Sequence, residues 1–137
     1  SDVHWEDRTA NSGLFIWDEQ YLGTPAPVLT SLAMLEVFFF ICGLECFYAK
    51  VLNTNKAALK YNYKLGFEDV PGQKSSKFKT LILTKEHYIE RASHLRDTAE
   101  RLSSVNTKIE MNSVLRDFLR SKGCPIFNTQ FSVQTIA

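Results

Sequence analysis

Residues Asn55–Phe67 read NKAALKYNYKLGF, directly after a run that ends Lys50-Val51-Leu52. Asn53, Thr54 and Asn55 are residue types that cap helix N-termini, and Gly66 is the residue type that ends helices, so the sequence predicts a short helix over Lys56–Leu65. The preceding stretch Glu45–Leu52 alternates two kinds of side chain, which predicts a strand with two different faces. This strand–helix unit is the best-defined part of the chain, and the other elements are assigned outward from it.

The segments on both sides of this unit predict further strands and one buried helix. Downstream we expect a short strand over Phe67–Val70, a turn over Pro71–Ser76 and a strand over Phe78–Thr84. Upstream we expect the end of a strand in Ser1–Arg8, a turn at Thr9–Ser12 and a buried strand over Gly13–Asp18. A proline-containing loop at Gly23–Pro27 follows. It leads to an apolar helix over Leu29–Cys42 that Gly43 ends. This order predicts an α/β or layered α+β fold, a sheet flanked by helices.

The chain beyond Lys85 has a different pattern, which predicts a helical C-terminal extension. Apolar residues recur at helical spacing, which favours a helix that packs on the chain's own body over a coiled coil: Tyr88, Ala92, Leu95, Ala99 and Leu102. A second helix is expected over Lys108–Ser121, burying Val114, Leu115, Phe118 and Leu119, and the last twelve residues predict one edge strand.

Composition excludes several classes of protein. With 137 residues, 45% hydrophobic and 23% charged, the chain is one domain's length with enough apolar residues for a core. A net charge of +1 predicts no nucleic-acid partner, and the apolar run Val28–Leu44 is too short and interrupted to span a membrane. Cys42, Cys46 and Cys124 show neither a disulfide nor a metal-ligand pattern, so we expect no metal site and a reducing cytoplasm.

The central stretch NKAALKYNYKLGF resembles the closing motif of the GCN5-related N-acetyltransferase (GNAT) superfamily. TANSGLFI and DEQYLG, within residues 9–23, resemble that family's fourth strand and its acetyl-CoA pyrophosphate loop; Val28–Gly43 resembles the helix behind the loop. FEDV and FKTLILTKE, from Phe67 onward, resemble the last two strands. The resemblance spans about residues 1–88, so it implies a partial GNAT-like mixed sheet there and a separate helical extension over 89–137. Asp2-Val3-His4-Trp5 is similar to a run in family members that act on amino-sugar nucleotides or ribosomal-protein N-termini.

The resemblance implies a site for acetyl-CoA, which is a substrate. The backbone near Phe15, Ile16 and Trp17 would polarise the thioester carbonyl, and Asn55 and Ala58 would lie along the pantetheine arm. The diphosphate would bind a loop whose matching residues are Gln20, Gly23, Thr24, Ala26 and Val28. Backbone N–H groups at a helix start bind phosphates well. Two alternatives remain: a proline-rich turn that starts a buried helix, and an Asn55 that serves as an N-cap.

Several positions depart from the family pattern. Pro25 and Pro27 remove two N–H donors from the loop, so we expect acetyl-CoA binding that is weak or lost. Asn62 occupies the position of the tyrosine that protonates the leaving thiolate, and an amide is no acid at pH 7. Asn11 occupies the position of a frequent strand-four glutamate. Glu6 is the candidate base acting through water, with a solvated surface charge as the alternative.

Two functions follow from the resemblance. The first is an acetyl-CoA-dependent N-acetyltransferase that transfers an acetyl group to a small amine or amino sugar. The alternative is a non-catalytic, truncated acetyltransferase-like domain that serves binding or assembly. A family member begins with a strand, two helices and two more strands that have no counterpart before Ser1. The sheet edge they normally cover predicts a homodimer; the alternatives are coverage by the chain's own tail from Glu86 onward and a chain that is a fragment of something longer.

Overall fold

The computed structural model divides the chain into two compact units. The first comprises Ser1–Phe15 and Glu45–His94, and the second comprises Ile16–Leu44 and Leu95–Ala137. The structure describes residues 2–13, 19–21, 23–74, 77–92, 94–95, 98, 101–102, 109–123 and 133–136. Among these residues, no helix combines the length and the hydropathy needed to cross a membrane.

The first unit is built on a five-stranded mixed sheet in the order β1-β2-β3-β5-β4. Its strands are β1 (Val3–His4), β2 (Thr9–Ser12), β3 (Cys46–Leu52), β4 (Glu68–Asp69) and β5 (Phe78–Thr84). β2 and β3 are parallel, whereas β1–β2, β3–β5 and β4–β5 are antiparallel. A parallel pair needs a crossover connection, and residues 13–45 supply it. The predicted sheet flanked by helices is confirmed.

Helix α2 (Lys56–Lys64) follows β3 after a short turn. On one face of the sheet, Phe47 and Ala49 of β3 stand opposite Leu83 and Leu81 of β5, and all four are buried. Gly66, with φ +94°, ends the helix as predicted; a Cβ there would lie 3.4 Å from Leu83 Cδ1. The chain segment at Gly66, directly after α2, therefore packs against this apolar face.

Beyond β5, the first unit continues into a short helix, α3 (Lys85–His87), that runs into a π-helical turn over Tyr88–Ala92. The hydroxyl of Thr84 accepts a hydrogen bond from the His87 amide and so caps α3. Tyr88 and Ala92, the first two positions of the predicted apolar stripe, are completely buried. Leu102 of the same stripe is 74% exposed, and Ala99 lies outside the described residues.

The second unit contains α1 (Ala26–Glu36), which continues as a π-helical turn over Val37–Ile41. Gly43, with φ +73°, ends this helix in the predicted place. A single 3-10 turn, Glu19–Tyr21, precedes α1. Toward the C-terminus the unit has a parallel strand pair, β6 (Ile109–Asn112) and β7 (Val133–Ile136), with α4 (Ser113–Ser121) after β6.

Three expectations drawn from the sequence are wrong. Thr9–Ser12 is strand β2 and not a turn, because its backbone pairs with Cys46–Ala49. Ile109–Asn112 is a strand and not the start of a helix, because it pairs with Val133–Ile136, more than twenty residues away. On α4 only Leu119 of the four predicted core residues is buried, whereas Val114, Leu115 and Phe118 are between 45% and 75% exposed. Most of the predicted strand Gly13–Asp18, and Cys124, lie outside the described residues.

Candidate functional site

In the part of the chain that the structure describes, the pairing of the parallel strands β2 and β3 ends before β3 does. β2 pairs with β3 from Thr9 opposite Cys46 to Ser12 opposite Ala49. β3 continues for three more residues, Lys50–Leu52, which pair with β5 on the other side. Gly13, the next residue after β2, is no longer in a strand. The described residues therefore leave the edge of β3 that faces β2 open over its last three residues, immediately before α2.

Helix α2 presents an uncharged row of side chains formed by Asn55, Ala58 and Asn62, which are spaced three and then four residues apart and so share one face. The Oδ1 of Asn55 accepts a hydrogen bond from the Ala58 amide at 3.0 Å, which makes Asn55 the N-cap. The side-chain Nδ2 of Asn62 donates to the Ala58 carbonyl oxygen at 2.9 Å. Both asparagine side chains thus have partners within the helix, and the structure brings these three predicted residues together.

The predicted diphosphate loop lies in the second unit. Gly23 has φ +80°, and Pro25 is the N-cap of α1. The Thr24 amide donates to the Tyr21 carbonyl oxygen at 3.2 Å, and the Ala26 amide donates to the Thr24 hydroxyl at 3.4 Å. Among the loop residues expected to hold phosphate, the amides of Thr24 and Ala26 therefore already have partners inside the loop. Among the remaining predicted residues here, Gln20 is exposed and Val28 is half-buried in the first turn of α1.

The other predicted site residues are placed as follows. Phe15, Ile16 and Trp17 lie outside the described residues. Glu6 is exposed in the turn between β1 and β2, whereas Asn11, where the family has a frequent glutamate, is exposed on β2. Glu6 thus lies on the hairpin that forms the opposite end of the sheet order from β4.

A polar cluster on the first unit links α2, β4 and β5, and the sequence reasoning missed it. The Tyr63 hydroxyl donates to Asp69 Oδ1 at 2.7 Å, and the Lys79 ammonium lies 3.0 Å from Asp69 Oδ2 and 3.2 Å from the Tyr63 hydroxyl. The hydrogen bond from Tyr63, followed by that from Lys79, lowers the pKa of Asp69. The same contacts, led by that with Asp69, raise the pKa of Lys79. Because the partners are six to sixteen residues apart on three elements, no local sequence pattern indicates the cluster.

Two further observations bear on the chemistry available here. Burial raises the pKa of the Cys46 thiol, and Glu86 and Glu45 raise it further, so this cysteine is a poor nucleophile. Within the described part of the chain, no three side chains of His, Cys, Asp or Glu are grouped so that they could hold a metal ion.

Comparison with solved structures identifies the fold. The chain is similar to apo FdhC, described as a nucleotide-linked sugar GNAT, with 20% sequence identity and a TM-score of 0.53. The match covers 72% of this chain and 52% of that one, so this chain spans about half the length of the structure it matches. No protein-family model and no curated protein matches the sequence. The chain has the GNAT fold, which confirms the fold that the central motif implied.

Proposed function

We propose that the protein is an acetyl-CoA-dependent N-acetyltransferase whose coenzyme arm enters beside β3, between the ends of β2 and β3. The observation that carries the proposal is that, among the described residues, β2 pairs with β3 only as far as Ser12 opposite Ala49, three residues before β3 ends. The uncharged row Asn55, Ala58 and Asn62 on the next helix supports it, because a pantetheine arm is itself uncharged. Amide and small side chains accommodate such an arm without the cost of burying a charge.

Acetyl transfer requires a neutral amine, a polarised thioester carbonyl and a proton for the departing thiolate. We propose that backbone N–H groups near Phe15, Ile16 and Trp17 supply the polarisation and that Glu6 accepts the proton of the amine through water. Asn62 cannot protonate the thiolate, since an amide has no ionisable proton at neutral pH. A thiol with a pKa of about 8.5 is a tolerable leaving group without that help. We therefore expect a slow enzyme.

For the acceptor we propose a small amine, with an amino sugar as the preferred class. FdhC, with which the chain shares its fold, is described as a nucleotide-linked sugar GNAT. The short run Asp2-Val3-His4-Trp5 agrees with this class, and it contains strand β1 of the β1–β2 hairpin that carries Glu6. A panel of free and nucleotide-linked amino sugars, assayed for coenzyme A release, tests the assignment.

The binding step is tested by calorimetric titration with acetyl-CoA on a matched pair of variants. Ala58 is half-buried on the uncharged face of α2, whereas its neighbour Ala57 is exposed about 100° around the helix. Ala58→Leu should weaken acetyl-CoA binding about tenfold or more, because the added branches occupy space for the arm, and Ala57→Leu should leave it unchanged. Both variants add the same good helix former. Equal affinities for the two variants, or no heat from wild type at millimolar acetyl-CoA, would refute the proposal.

A second candidate is a non-catalytic domain that binds an acyl-CoA, and the hydrogen bond from Asn62 to the Ala58 carbonyl favours it. The variant Asn62→Tyr separates the two candidates, because it restores a side chain that can protonate a thiolate. For an enzyme we expect acetyl transfer to rise by about tenfold to a hundredfold, in line with general acid catalysis. A domain without chemistry would show no transfer in either form while still binding acetyl-CoA.

We also propose that the protein is a homodimer in the reducing cytoplasm. Cys42 and Cys46, which are reduced and in no disulfide, support the compartment, and the exposed apolar side chains of Val114, Leu115 and Phe118 support association. Light scattering at micromolar concentration tests the assembly. A dimer that Leu115→Glu converts to a monomer supports it, and a wild-type monomer contradicts it.

A further inference from the structure

The lysines of the first unit are concentrated in one stretch of the chain. Seven of the ten lysines fall between Lys50 and Lys79, where the carboxylates are Glu68 and Asp69, so this stretch carries +5 against +1 for the whole protein. A near-zero net charge thus conceals a strongly basic region. The stretch includes α2, the start of β5 and the loop between β4 and β5.

Four of these lysines surround a groove of about 560 Å³ between α2 and the start of β5. Its lining comprises Lys56, Leu59, Lys60, Tyr63, Lys64 and Lys79. Leu59 and the ring of Tyr63 form an apolar floor, and Tyr63 is 41% exposed. The volume lies in the range of small-molecule sites, which also combine an apolar surface with a few polar groups.

Three of the ammonium groups are available to a ligand. Lys56, Lys60 and Lys64 are spaced four residues apart, are exposed, and make no ion pair with any carboxylate in the described parts of the chain. Lys79 differs, since Asp69 already holds its ammonium at 3.0 Å. Like charges four residues apart on a helix repel each other, so the chain maintains an unfavourable arrangement that a bound anion would relieve.

We propose that this groove, which we call the lysine groove, binds a ligand with two or more phosphoryl groups, of the nucleoside diphosphate class. Lysine ammonium groups bind phosphate as point charges, and the row provides three of them in succession. The Tyr63 ring, which is partly exposed and has Lys79 Nζ 5.9 Å from its centroid, offers a surface for the planar base. The phosphates lie along Lys56, Lys60 and Lys64, and the Asp69 carboxylate is kept from repelling them by its contacts with Lys79 and Tyr63.

The lysine groove is separate from the proposed coenzyme site. At about 100° per residue, Lys60 projects about 160° away from Ala58 around α2 and, in the other direction, about 160° away from Asn62. A ligand in the groove and a coenzyme arm beside Ala58 therefore contact opposite sides of one helix. The inference goes beyond the proposed function and does not depend on acetyl-CoA binding.

The test titrates uridine diphosphate, inorganic pyrophosphate and uridine into wild type and two charge-reversal variants. Lys60→Glu should weaken the binding of uridine diphosphate and of pyrophosphate at least about tenfold, because it removes a charge-assisted contact and adds repulsion. It should also raise the melting temperature, since the introduced carboxylate would attract Lys56 and Lys64 on either side, so lost binding cannot be ascribed to unfolding. Lys122→Glu in the second unit changes the net charge equally and should leave binding within about twofold.

The possible results divide clearly. Binding of both phosphorylated probes, weaker binding of uridine, loss in Lys60→Glu and retention in Lys122→Glu support the lysine groove. No heat at millimolar probe, or equal loss in both variants, overturns it. Tighter binding of poly-glutamate than of either phosphorylated probe also overturns it, in favour of an acidic peptide. Weaker acetyl-CoA binding in Lys60→Glu would overturn the claim that the lysine groove is separate from the coenzyme site.

Discussion

The two faces of helix α2 differ sharply in chemistry although they belong to one short helix and its cap. One face carries Asn55, Ala58 and Asn62, which are uncharged and partnered within the helix. The other carries Lys56, Lys60 and Lys64, which are charged, exposed and without an ion pair among the described residues. An ordinary solvated helix face has mixed charges that form favourable pairs four residues apart. The difference indicates that each face is suited to a different chemical group, one to an uncharged chain such as a pantetheine arm and the other to an anionic group.

Both faces depend on one buried anchor, Leu59, and its removal should have the largest effect. Leu59 is 7% exposed and is the buried residue of α2. Leu59→Ala should lower the free energy of unfolding by about 2–4 kcal/mol and should weaken acetyl-CoA and pyrophosphate binding together. Urea denaturation followed by circular dichroism measures the stability. Leu102→Ala, at a position 74% exposed, is the control and should be nearly neutral. Loss of only one ligand in Leu59→Ala would contradict a shared anchor.

An intermediate effect is expected from the helix cap. Asn55→Ala should cost about 1 kcal/mol of stability, because the Ala58 amide loses its partner. Asn55→Ser keeps a capping oxygen and should recover most of that stability. If Asn55 also contacts the coenzyme arm, Asn55→Ser will not recover acetyl-CoA affinity, whereas pyrophosphate binding to the lysine groove will be unchanged in both variants. If Asn55→Ser fully recovers both stability and acetyl-CoA affinity, Asn55 acts only as a helix cap.

The smallest effect on stability is expected from the polar cluster of Tyr63, Asp69 and Lys79, two of which line the lysine groove. Because the pKa of Asp69 is lowered in the folded protein, its contribution to stability is present above about pH 4 and is lost as the pH falls through the folded value. The raised pKa of Lys79 makes its contribution present at neutral pH and lost at strongly alkaline pH. Asp69→Asn should therefore remove part of the acid dependence and cost less than about 1 kcal/mol, as exposed ion pairs do. Thermal melts between about pH 2 and 7 measure how the melting temperature falls with acidification. The same fall in Asp69→Asn as in wild type would contradict the contribution assigned to Asp69.

The sequence predicted those elements whose signals are local. The helix after Asn55, the glycines that end α1 and α2, and the strands around Phe47 and Leu81 all follow from caps, left-handed glycines and apolar alternation. Composition predicted a turn at Thr9–Ser12, because only pairing with a distant strand makes Thr-Ala-Asn-Ser extended, whereas the resemblance of TANSGLFI to a family strand indicated β2 correctly. Periodicity on α4 correctly indicated an apolar face, but it carries no information on whether that face is covered.

The residues of the candidate site were likewise only partly predictable from the sequence. The resemblance indicated Asn55 and Ala58 as coenzyme contacts and Asn62 as the position of the family's tyrosine, and the helix places all three on one face. The engagement of Asn62 with its own helix was not predictable, because an amide side chain has several partners within reach. The lysine groove did leave a signal in the clustering of lysines between residues 50 and 79, which the balanced net charge concealed.

The central claim, that acetyl-CoA occupies the opening beside β3, is tested most directly by a nuclear magnetic resonance titration. Side-chain amide signals report on single residues, and the chain offers a matched set. Acetyl-CoA should shift the signals of Asn55 and Asn62 and the backbone amides of Gly13 and Leu52. It should leave the side-chain amide of Gln73, which is held by the Thr80 backbone, in place. Shifts confined to Gln73, or no shift at millimolar acetyl-CoA, would contradict the claim.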